Sequence, residues 1–403
     1  MNLRDRLAML HPLPASAPPA MEQSTLPSLA ERVERMAVRA RGRTASEEEI
    51  ADALDGTLVE PGLIRVERDI PLSCRIGHVA LQAVLDAPLS VLAPDEDVRP
   101  ERLTFLDTET TGLAGGTGTL AFLLAVARIE GHQLHLTQWL LTAFRGEAAM
   151  LEEARGWLGA DPLLVSFNGK CFDVPLLATR YRMHSQPDAF TPLPHLDLLP
   201  PTRRAFARRW EDCRLQTAEQ RLLRFHREDD LPGSAMPRAW ADFLRSGHAA
   251  PMNAVLDHNR RDVVSLAALM AALAAVFVTA DASECDAVAI ARGHIAAARW
   301  PQALDLLAAQ EALLDESGLL LLAALLRRQG HHDAAVRIWQ RLAQDDVPEA
   351  IEALAKHHEH ARQDYTEALQ LTQRLAAFAP EADVDKRAAR LTGKLTRKIS
   401  QLW

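Results

Sequence analysis

The segment Phe105-Leu106-Asp107-Thr108-Glu109-Thr110-Thr111-Gly112 places two carboxylates, two residues apart, at the end of an apolar run. Alternate residues of a β-strand point to the same side of a sheet, so Asp107 and Glu109 can converge on one point. Such carboxylates repel each other unless a hard cation neutralises them, and oxygen ligands are those that Mg²⁺ and Mn²⁺ prefer. The pair therefore predicts a metal site, although taken alone it also fits a solvated pair at a sheet edge.

Two further motifs carry carboxylates at the ends of predicted elements. Residues 167–177 read FNGKCFDVPLL, where an apolar strand ends in a polar turn and Asp173 precedes an apolar helix. Residues 256–266 read LDHNRRDVVSL, where His258 and Asp262 are four apart and share one face of a helix. Singly, Asp173 also fits a helix N-cap, and the His258–Asp262 pair a surface contact. Three such motifs in order favour one shared site.

The order of elements around these motifs predicts a mixed α/β fold. Strands are predicted at 103–107, 120–128, 134–140 and 163–167, and helices at 147–158 and 174–182. Three strands followed by a helix, a strand and a helix is the order of an RNase H-like fold, for which we expect a mixed five-stranded sheet with flanking helices. We assign this domain to residues 101–280.

The remaining chain is predicted to form three further segments. Residues 1–30 hold five prolines between positions 12 and 27 and are predicted to be a disordered tail. Residues 31–100 are predicted to be a lead-in that packs on the α/β domain, with helical spacing at 29–54 and an edge-strand pattern at 62–70. Residues 281–403 are predicted to be an all-α helical-repeat domain.

The evidence for repeats is a recurring pair of small and apolar residues. The pairs are Ala303-Leu304, Ala335-Val336 and Ala368-Leu369, at intervals of 32 and 33 residues. This period is typical of tetratricopeptide (TPR) helix pairs, so we predict a TPR-like domain that can bind a protein partner. An ordinary helical bundle without a binding groove is the alternative. The clusters His331-His332 and His357-His358-Glu359-His360 are predicted to be solvated on these helices.

Composition is that of a folded protein, with 48% hydrophobic and 25% charged residues. The net charge of -9 excludes a uniformly basic surface, so any nucleic-acid site must be a local basic patch. The four cysteines form no C-x-x-C pair, which argues against a zinc ribbon or disulfide framework and fits a reducing compartment. The longest apolar stretch, 266–280, is shorter than the roughly 20 residues of a membrane span. We predict a cytoplasmic protein without membrane contact.

The carboxylates resemble a known set. Asp107, Glu109, Asp173 and Asp262 are similar to those of the DEDD exonuclease superfamily of RNase H-like fold, whose proofreading and RNA-trimming members begin with a similar D-x-E-T-T-G segment. The chain more closely resembles the bacterial YprB-like family of predicted exonucleases. The matching segments are 105–112, 168–177, 195–199, 213–217, 228–233 and 258–266, within about 102–277.

The resemblance implies a hydrolase, a 3′–5′ exonuclease that cuts single-stranded DNA or RNA with two divalent ions, Mg²⁺ or Mn²⁺. In the superfamily, two ions activate a water and stabilise the leaving 3′ oxygen of a phosphodiester. The resemblance assigns Asp107 to both ions, Glu109 and Asp262 to one, and Asp173 to the other. His258 would accept the proton of the attacking water.

His258 departs from the usual spacing of the superfamily. Members with a catalytic histidine usually place it five residues before the last aspartate, and members with a tyrosine place it four before. This chain has a histidine at the tyrosine spacing. The departure bears on the role of His258 and leaves the four carboxylates intact. It motivates an alternative function, a non-cleaving scaffold in which a degenerate nuclease fold binds nucleic acid or protein and the helical repeats carry the activity.

Substrate contacts are predicted around the carboxylates. Residues 203–227 hold eight arginines against three carboxylates, a footprint that suits a phosphate backbone, although a solvated helix face explains it equally well. The predicted contact residues are Thr110, Asn168, Phe172, Arg203, Arg204 and Arg214. Asn168 would hydrogen-bond a terminal nucleotide and Phe172 would stack on it, with a core position for Phe172 as the alternative. His195 and Asp197 match a family segment and are predicted to hydrogen-bond a residue that ligates the metal, without contacting the metal themselves.

Overall fold

The structure is a computed structural model that describes residues 45–112, 118–378 and 380–400. The predicted tail at 1–30 and the first part of the predicted helix at 29–54 lie outside the described residues. The described part of that helix begins at Glu47, where Ser46 and Glu49 form a reciprocal capping box.

A mixed sheet is the central layer of the fold. The described strands are β1 (Thr57–Glu60), β2 (Leu63–Pro71), β3 (Arg75–Ile76), β4 (Val79–Ala80), β5 (Leu103–Thr110), β6 (Ala121–Glu130), β7 (Gln133–Leu141), β8 (Leu163–Ser166) and β9 (His195–Asp197). Seven of them form one sheet in the order β1-β2-β7-β6-β5-β8-β9, and β3 and β4 form a separate ribbon. In that sheet β1, β2, β7, β6 and β5 pair antiparallel with their neighbours. The strands β5, β8 and β9 pair in parallel.

The predicted number of five strands is wrong, because the lead-in adds two strands to the sheet. β2 pairs antiparallel with β7 along its whole length, from Leu63↔Leu141 to Pro71↔Gln133. β1 then folds back on β2, so the segment predicted as an edge strand lies one strand inside the edge. Leu63 and Ile64 of β2 are fully buried, which shows that apolar burial fixes the lead-in to the α/β domain.

Fifteen α-helices surround and extend the described sheet. Their bounds are α1 (Glu47–Ala53), α2 (Ala83–Asp86), α3 (Glu147–Trp157), α4 (Asp173–Met183), α5 (Leu199–Phe206), α6 (Leu215–Ala218), α7 (Met236–Ser246), α8 (Ala250–Val278), α9 (Ala287–Ala296), α10 (Trp300–Ala308), α11 (Glu316–Arg328), α12 (His332–Gln344), α13 (Pro348–His357), α14 (Tyr365–Arg374) and α15 (Glu381–Ser400). The predicted mixed sheet with flanking helices, followed by an all-helical region, is confirmed.

The two faces of β5 pack against different helices because its side chains alternate. Phe105 belongs to the apolar cluster that contains the second half of α8, and Leu106 to the cluster that contains Met150 of α3 and Leu177 of α4. Asp107 and Glu109 have the same parity as Phe105. They therefore continue the side of the sheet that faces α8, which carries His258 and Asp262.

Among the described helices, α8 alone is long and apolar enough to cross a membrane by length and composition. Its most apolar window is 67% buried inside the protein, as expected of a central core helix. The apolar cluster around α8 continues into the C-terminal helices. There the recurring residues Ala303, Ala335 and Ala368 are fully buried. The helices predicted from the repeat are present, and the assignment to the TPR type stays a prediction.

Candidate metal centre

The end of β5 is open on one side. β5 pairs with β8 only from Leu103 to Phe105, whereas its pairing with β6 continues to Thr110. Asp107 and Glu109 therefore extend past β8 toward the turn that follows that strand. Carboxyl ends of parallel strands are where α/β sheets bind ligands, and this termination creates the space.

Asp107 is held by a polar chain across the sheet. The side-chain amide of Asn259 donates to Oδ2 of Asp107 at 2.7 Å, and Nε2 of Gln138 donates to Oδ1 of Asn259 at 2.8 Å. Gln138 also donates to the carbonyl of Leu256 at 2.9 Å. Asp107 and Gln138 both pair with Ala125, so they lie in one row of the sheet. Since Asn259 and Gln138 are buried, the orientation of the Asp107 carboxylate is fixed before any ligand binds.

Asp173 is the first residue of α4, and Phe172 occupies the N-cap position. The N-cap interpretation of Asp173 is therefore wrong, because its side chain does not cap the helix. Oδ1 of Asp173 instead accepts a hydrogen bond from the hydroxyl of Thr108 on β5. This bond ties the start of α4 to the strand that carries Asp107 and Glu109.

Asp197 organises the turn that precedes Asp173. Its Oδ1 accepts from the backbone N–H of Asn168 at 2.6 Å and of Leu199 at 3.0 Å, and its Oδ2 from Lys170 at 3.2 Å. Asn168 has a φ of 72°, in the left-handed region that Asn tolerates better than most residues. The buried Asp197 carboxylate thus satisfies backbone donors of a turn that has no strand partner of its own.

His195 supports the same turn through Ser166. The two side chains share a hydrogen bond of 2.7 Å, and the N–H of Gly169 donates to the Ser166 hydroxyl at 3.1 Å. Burial lowers the pKa of His195 to about 4, so the imidazole is neutral at pH 7. A Cβ at Gly169 would lie 2.4 Å from Ser166 Oγ and 3.1 Å from Asp173 Oδ2, so only glycine fits. His195 and Asp197 were predicted to hydrogen-bond a metal-ligating residue. The hydrogen bonds described for them run instead to Ser166 and to backbone N–H groups around the turn that precedes Asp173.

The first turns of α8 face the end of β5. Ligand atoms of Glu109, His258 and Asp262 all lie within 4.8 Å of one another, the one such group among the described residues that can hold a metal ion. Nε2 of His258 is 3.5 Å from Oδ2 of Asp262, and its Nδ1 is 2.9 Å from Oδ1 of Asp230. The tyrosine-type spacing thus still brings the histidine to the carboxylates.

A buried arginine neutralises part of this negative charge. The side chain of Arg227 is 5% exposed and donates to both oxygens of Glu219 at 2.7 Å, to Asp230 at 3.1 Å and to Asp262. Arg227 was predicted as part of the arginine footprint for substrate. It is instead an internal counter-ion, because its donors are occupied by buried carboxylates.

The pKa values of all four carboxylates are raised, because the groups are desolvated and lie close together. Burial raises the pKa of Asp107 well above its ordinary range, and the charges of the other three carboxylates raise it further. Burial, followed by the charge of Asp262, raises the pKa of Glu109 to about 9. Burial raises the pKa of Asp173 to about 6, and the Thr108 hydrogen bond limits the rise. Burial also raises the pKa of Asp262, against the charge of Arg227.

These four groups fit divalent metal binding. All are oxygen donors, all are desolvated, and their mutual repulsion is what a bound cation removes. The four carboxylates come from three elements, β5, α4 and α8. In none of them do donors of the same element occupy all the acceptor positions of the carboxylate. The donor set matches the hard cations Mg²⁺ and Mn²⁺ and is unlike the sulfur-rich sites of structural zinc.

The predicted substrate contacts lie in different environments. Phe172 is 51% exposed beside Asp173, so its interpretation as a core residue is wrong. Thr110 donates to the carbonyl of Gly112 at 3.1 Å. Arg204 packs against Gly293 of α9, so its described contact is with the C-terminal helices. Arg203 is exposed on α5, and Arg214 is 84% exposed with Asp212 at 3.6 Å.

Sequence reasoning missed the polar residues behind the site. Asn259 and Asp230 lie within segments that carry the family resemblance, and position in those segments was the one signal available for them. Gln138 interrupts the apolar pattern of β7, but a polar residue in a strand more often indicates a solvated face. Glu219 lies in the π-helical segment Glu219–Leu223, where no local pattern predicts burial.

Comparison with known proteins identifies the relatives of this chain. Residues 104–274 match the model of the RNase H superfamily. The chain is 31% identical over 364 residues to the uncharacterized protein YprB of Bacillus subtilis (strain 168), covering 84% of this chain and 86% of YprB. Among solved structures, the family B DNA polymerase of the archaeon Pyrobaculum calidifontis is similar at 16% identity with a TM-score of 0.32, over 69% of this chain and 39% of the polymerase. With an RNase H-like domain and this extent of identity, the chain belongs to the YprB family.

Proposed function

We propose that this protein is a metal-dependent 3′–5′ exonuclease that hydrolyses phosphodiester bonds of single-stranded nucleic acid. The observation that carries the proposal is the convergence of four half-buried carboxylates and one histidine at the open end of β5. Membership of the RNase H superfamily over residues 104–274 supports a nuclease. The polarity and the preference for single strands follow from the resemblance to DEDD exonucleases.

Four residues of the chain would hold two divalent ions, with Asp107 shared between them. Glu109 and Asp262 would complete the shell of one ion and Asp173 that of the other. Bound Mg²⁺ or Mn²⁺ would lower the pKa of the attacking water and would supply positive charge for the attacking and leaving oxygens. The Asn259 amide keeps Asp107 in one orientation, so little reorganisation is needed on binding.

His258 would accept the proton of the attacking water at Nε2, which faces Glu109 and Asp262. Its Nδ1 lies 2.9 Å from Asp230, so the proton on that nitrogen is directed to a carboxylate and Nε2 is left free to accept. Although burial acts to raise it, hydrogen bonds from His258 and Arg227 hold the pKa of Asp230 below its ordinary value. Asp230 is therefore an ionised positioning residue for His258.

Substrate would approach from the side left open by β8. Phe172 presents an exposed ring beside Asp173, suited to stacking on the terminal base. Asn168 and Thr110 flank the carboxylates and would hydrogen-bond the terminal nucleotide. Arg203 and Arg214 are exposed cations and would contact phosphates farther along the strand.

The direct test is cleavage of 5′-labelled single-stranded RNA and DNA oligonucleotides with Mn²⁺, Mg²⁺ or EDTA. We expect a ladder that shortens from the 3′ end with either metal and no cleavage in EDTA. The RNA and DNA arms identify the substrate. A protein that binds these oligonucleotides but cuts neither with any metal would contradict the enzyme and favour the non-cleaving scaffold.

The role of Asp230 predicts a separable kinetic effect. Asp230→Asn removes the charge that orients His258, and changes behind a catalytic ligand cost about 10- to 100-fold. We expect kcat to fall by about that factor with KM nearly unchanged, measured on the oligonucleotide that is cut.

The matched control is Asp229→Asn, because Asp229 is the exposed neighbour with the same charge. Its φ of 51° is one that Asn tolerates. A merely structural role of Asp230 would lower the thermal unfolding midpoint and the metal-induced stabilisation together with kcat. Equal kcat values for the two variants would remove Asp230 from the mechanism.

A further inference from the structure

A second polar cavity lies in the C-terminal helical region, in a part of the chain that contributes none of the four carboxylates. Its volume is about 620 Å³, and its walls come from α11, α12, α13, α15 and the segment His358–Arg362. This volume falls within the roughly 300–1,000 Å³ of typical ligand sites. Its cationic lining residues are Arg327, Lys356, Lys386, Arg387 and Arg390. One carboxylate, Asp383, lines it.

Three histidines from the clusters predicted to be solvated line this same cavity. They are His332, His357 and His360. Trp339, which is buried, also lines the cavity. Because neutral histidines still donate hydrogen bonds and protonated ones add charge, they reinforce a site for anions.

Carboxylates behind the wall do not cancel its charge. Glu359 is fully buried and lies 2.9 Å from Arg390, 3.5 Å from Arg387 and 2.9 Å from Lys394. Glu352 lies 2.6 Å from Lys356 and 3.7 Å from Arg387. With Asp383, three carboxylates therefore stand against six cations, counting Lys394. An excess of three positive charges is left before any histidine protonates.

Some donors of the cavity have no protein acceptor among the described residues. Nε of Arg387 is buried without a hydrogen-bond partner there. Arg327 and Lys386 are exposed at the cavity, and neither forms an ion pair in the described part of the chain. Unpartnered donors that line a cavity are the groups an anionic ligand satisfies.

The cations continue as a row along α15. Lys386, Arg390, Lys394 and Lys398 are each four residues apart, so they share one face at intervals of about 6 Å. The ring of Tyr365 lies 5.7 Å from Nζ of Lys394 and 5.4 Å from Nζ of Lys398. A regular row of cations with an aromatic ring matches a ligand whose charge repeats along a chain, which a single small anion lacks.

The helical region is fixed to the α/β domain. The N–H of Asp286 donates to the carbonyl of Ala205 at 2.7 Å, and His294 Nε2 lies 2.8 Å from the carbonyl of Phe277 in α8. Arg299 donates to the carbonyls of Ser90 and Val91 in the lead-in at 3.1 and 3.0 Å. The cavity therefore keeps a set position relative to the carboxylates, as a site for one extended substrate requires.

We propose that this cavity and the row on α15 bind the phosphodiester backbone of a single-stranded nucleic acid. The inference rests on the proposed function, because it takes the ligand to be the class of molecule that the carboxylates would cut. Phosphates would accept from the unpartnered donors of Arg327, Lys386 and Nε of Arg387, and stacking on Tyr365 tolerates any base. The surface would hold a strand at a distance from its 3′ end, in a protein whose overall charge is negative.

The test measures binding of a fluorescein-labelled single-stranded oligonucleotide to the full chain by anisotropy in EDTA. The double variant Arg327→Gln/Lys386→Gln removes two cations without a described ion pair. We expect Kd to rise on the order of 10-fold near 0.1 M salt, and the slope of log Kd against log salt to fall by about 1.4, at roughly 0.7 per phosphate contact on single strands.

The matched control is Arg337→Gln/Arg341→Gln, which changes the charge equally on exposed positions of α12 outside the cavity lining. Equal Kd values for the two double variants would overturn the proposal. Addition of Mn²⁺ to the same samples reports cleavage separately. The two proposals can fail separately. If the wild type cuts no oligonucleotide but the cavity variant still binds more weakly than the wild type, the nuclease is refuted and the binding site is supported.

Competitors identify the source of the anion. Inorganic phosphate and polyglutamate are titrated against the bound oligonucleotide at equal concentrations of charge. We expect unlabelled oligonucleotide to displace the probe at much lower concentration than either. Displacement by polyglutamate as effective as by oligonucleotide would instead assign the cavity to an acidic protein segment, and equal displacement by phosphate would assign it to a small phosphate-bearing ligand.

Discussion

Asp107→Asn is expected to reduce metal-dependent cleavage on the order of 10³-fold, because loss of the shared ligand removes several kcal/mol of transition-state stabilisation. The amide is nearly the same size and can still accept the hydrogen bond from Asn259. Replacing one of four crowded carboxylates also removes repulsion, so the metal-free variant should unfold at the same temperature as the wild type or slightly above it.

The matched control for this prediction is Asp257→Asn in the same segment as His258. The side chain of Asp257 is 54% exposed and pairs with Arg260 on the surface of α8. Its loss should leave the cleavage rate within about 2-fold, since exposed pairs contribute little. Unaltered cleavage in Asp107→Asn would refute the metal-centre assignment. A fall in unfolding temperature that accompanies the loss of activity would point to a structural role.

The metal-free protein is expected to lose stability as the pH rises from about 4.5 to about 9. The pKa of Glu109 is about 9 in the folded chain, against an ordinary value of 4.5 for a glutamate. The folded state therefore retains a proton that the unfolded chain releases, and the free energy of unfolding falls between those two pKa values. The pKa of Asp173, raised to about 6, adds to the same trend in the lower part of this range.

Divalent metal should reverse this trend, because bound cations favour the ionised carboxylates. At pH 8, saturating Mg²⁺ at 100 times its Kd would add about 2.7 kcal/mol, or roughly 3 to 4 °C in the unfolding midpoint of a chain of this length. Thermal unfolding at pH 5, 7 and 9 with EDTA or Mg²⁺ measures both effects. The variant Glu109→Gln, measured under the same conditions, lacks the Glu109 carboxylate and serves as the comparison.

The expected outcome for Glu109→Gln is a flatter pH dependence in EDTA and a smaller gain with Mg²⁺. Carboxylates outside the site titrate alike in both proteins, so the difference between the two profiles reports Glu109 together with its effect on the pKa of Asp107. Identical pH profiles would mean that Glu109 is not held among the other carboxylates. If the wild type gains no stability from Mg²⁺, the carboxylates do not form a binding site for this ion.

The core of the α/β domain was predictable because its signals are local. An apolar run that ends at Asp107, alternation in β7 and the helical period of α3 are each read within about ten residues. The two strands added by the lead-in were not. Their pairing joins β2 to β7 over some seventy intervening residues, and no local pattern states which strand edge a hairpin will cover.

The four carboxylates and His258 were accessible to sequence reasoning because each stands in a short motif at the end of an element. The groups that orient them were not. Arg227 and Asp230 were indistinguishable from a solvated charged stretch, and only burial against α8 turned them into a counter-ion and a support for His258. Phe172 shows the opposite case, an apolar residue that the tertiary structure leaves exposed at the site.

Local chemistry in the chain therefore set the element types, the carboxylate motifs and the periodicity of the helical region. Tertiary structure alone decided that α8 faces the end of β5, that Asn259 and Gln138 brace Asp107, and that cations from several helices meet at one cavity. The physical reason is the distance along the chain over which each kind of interaction acts. Side-chain period and capping act over one or two turns, whereas burial and charge pairing depend on which surfaces meet after the chain has folded.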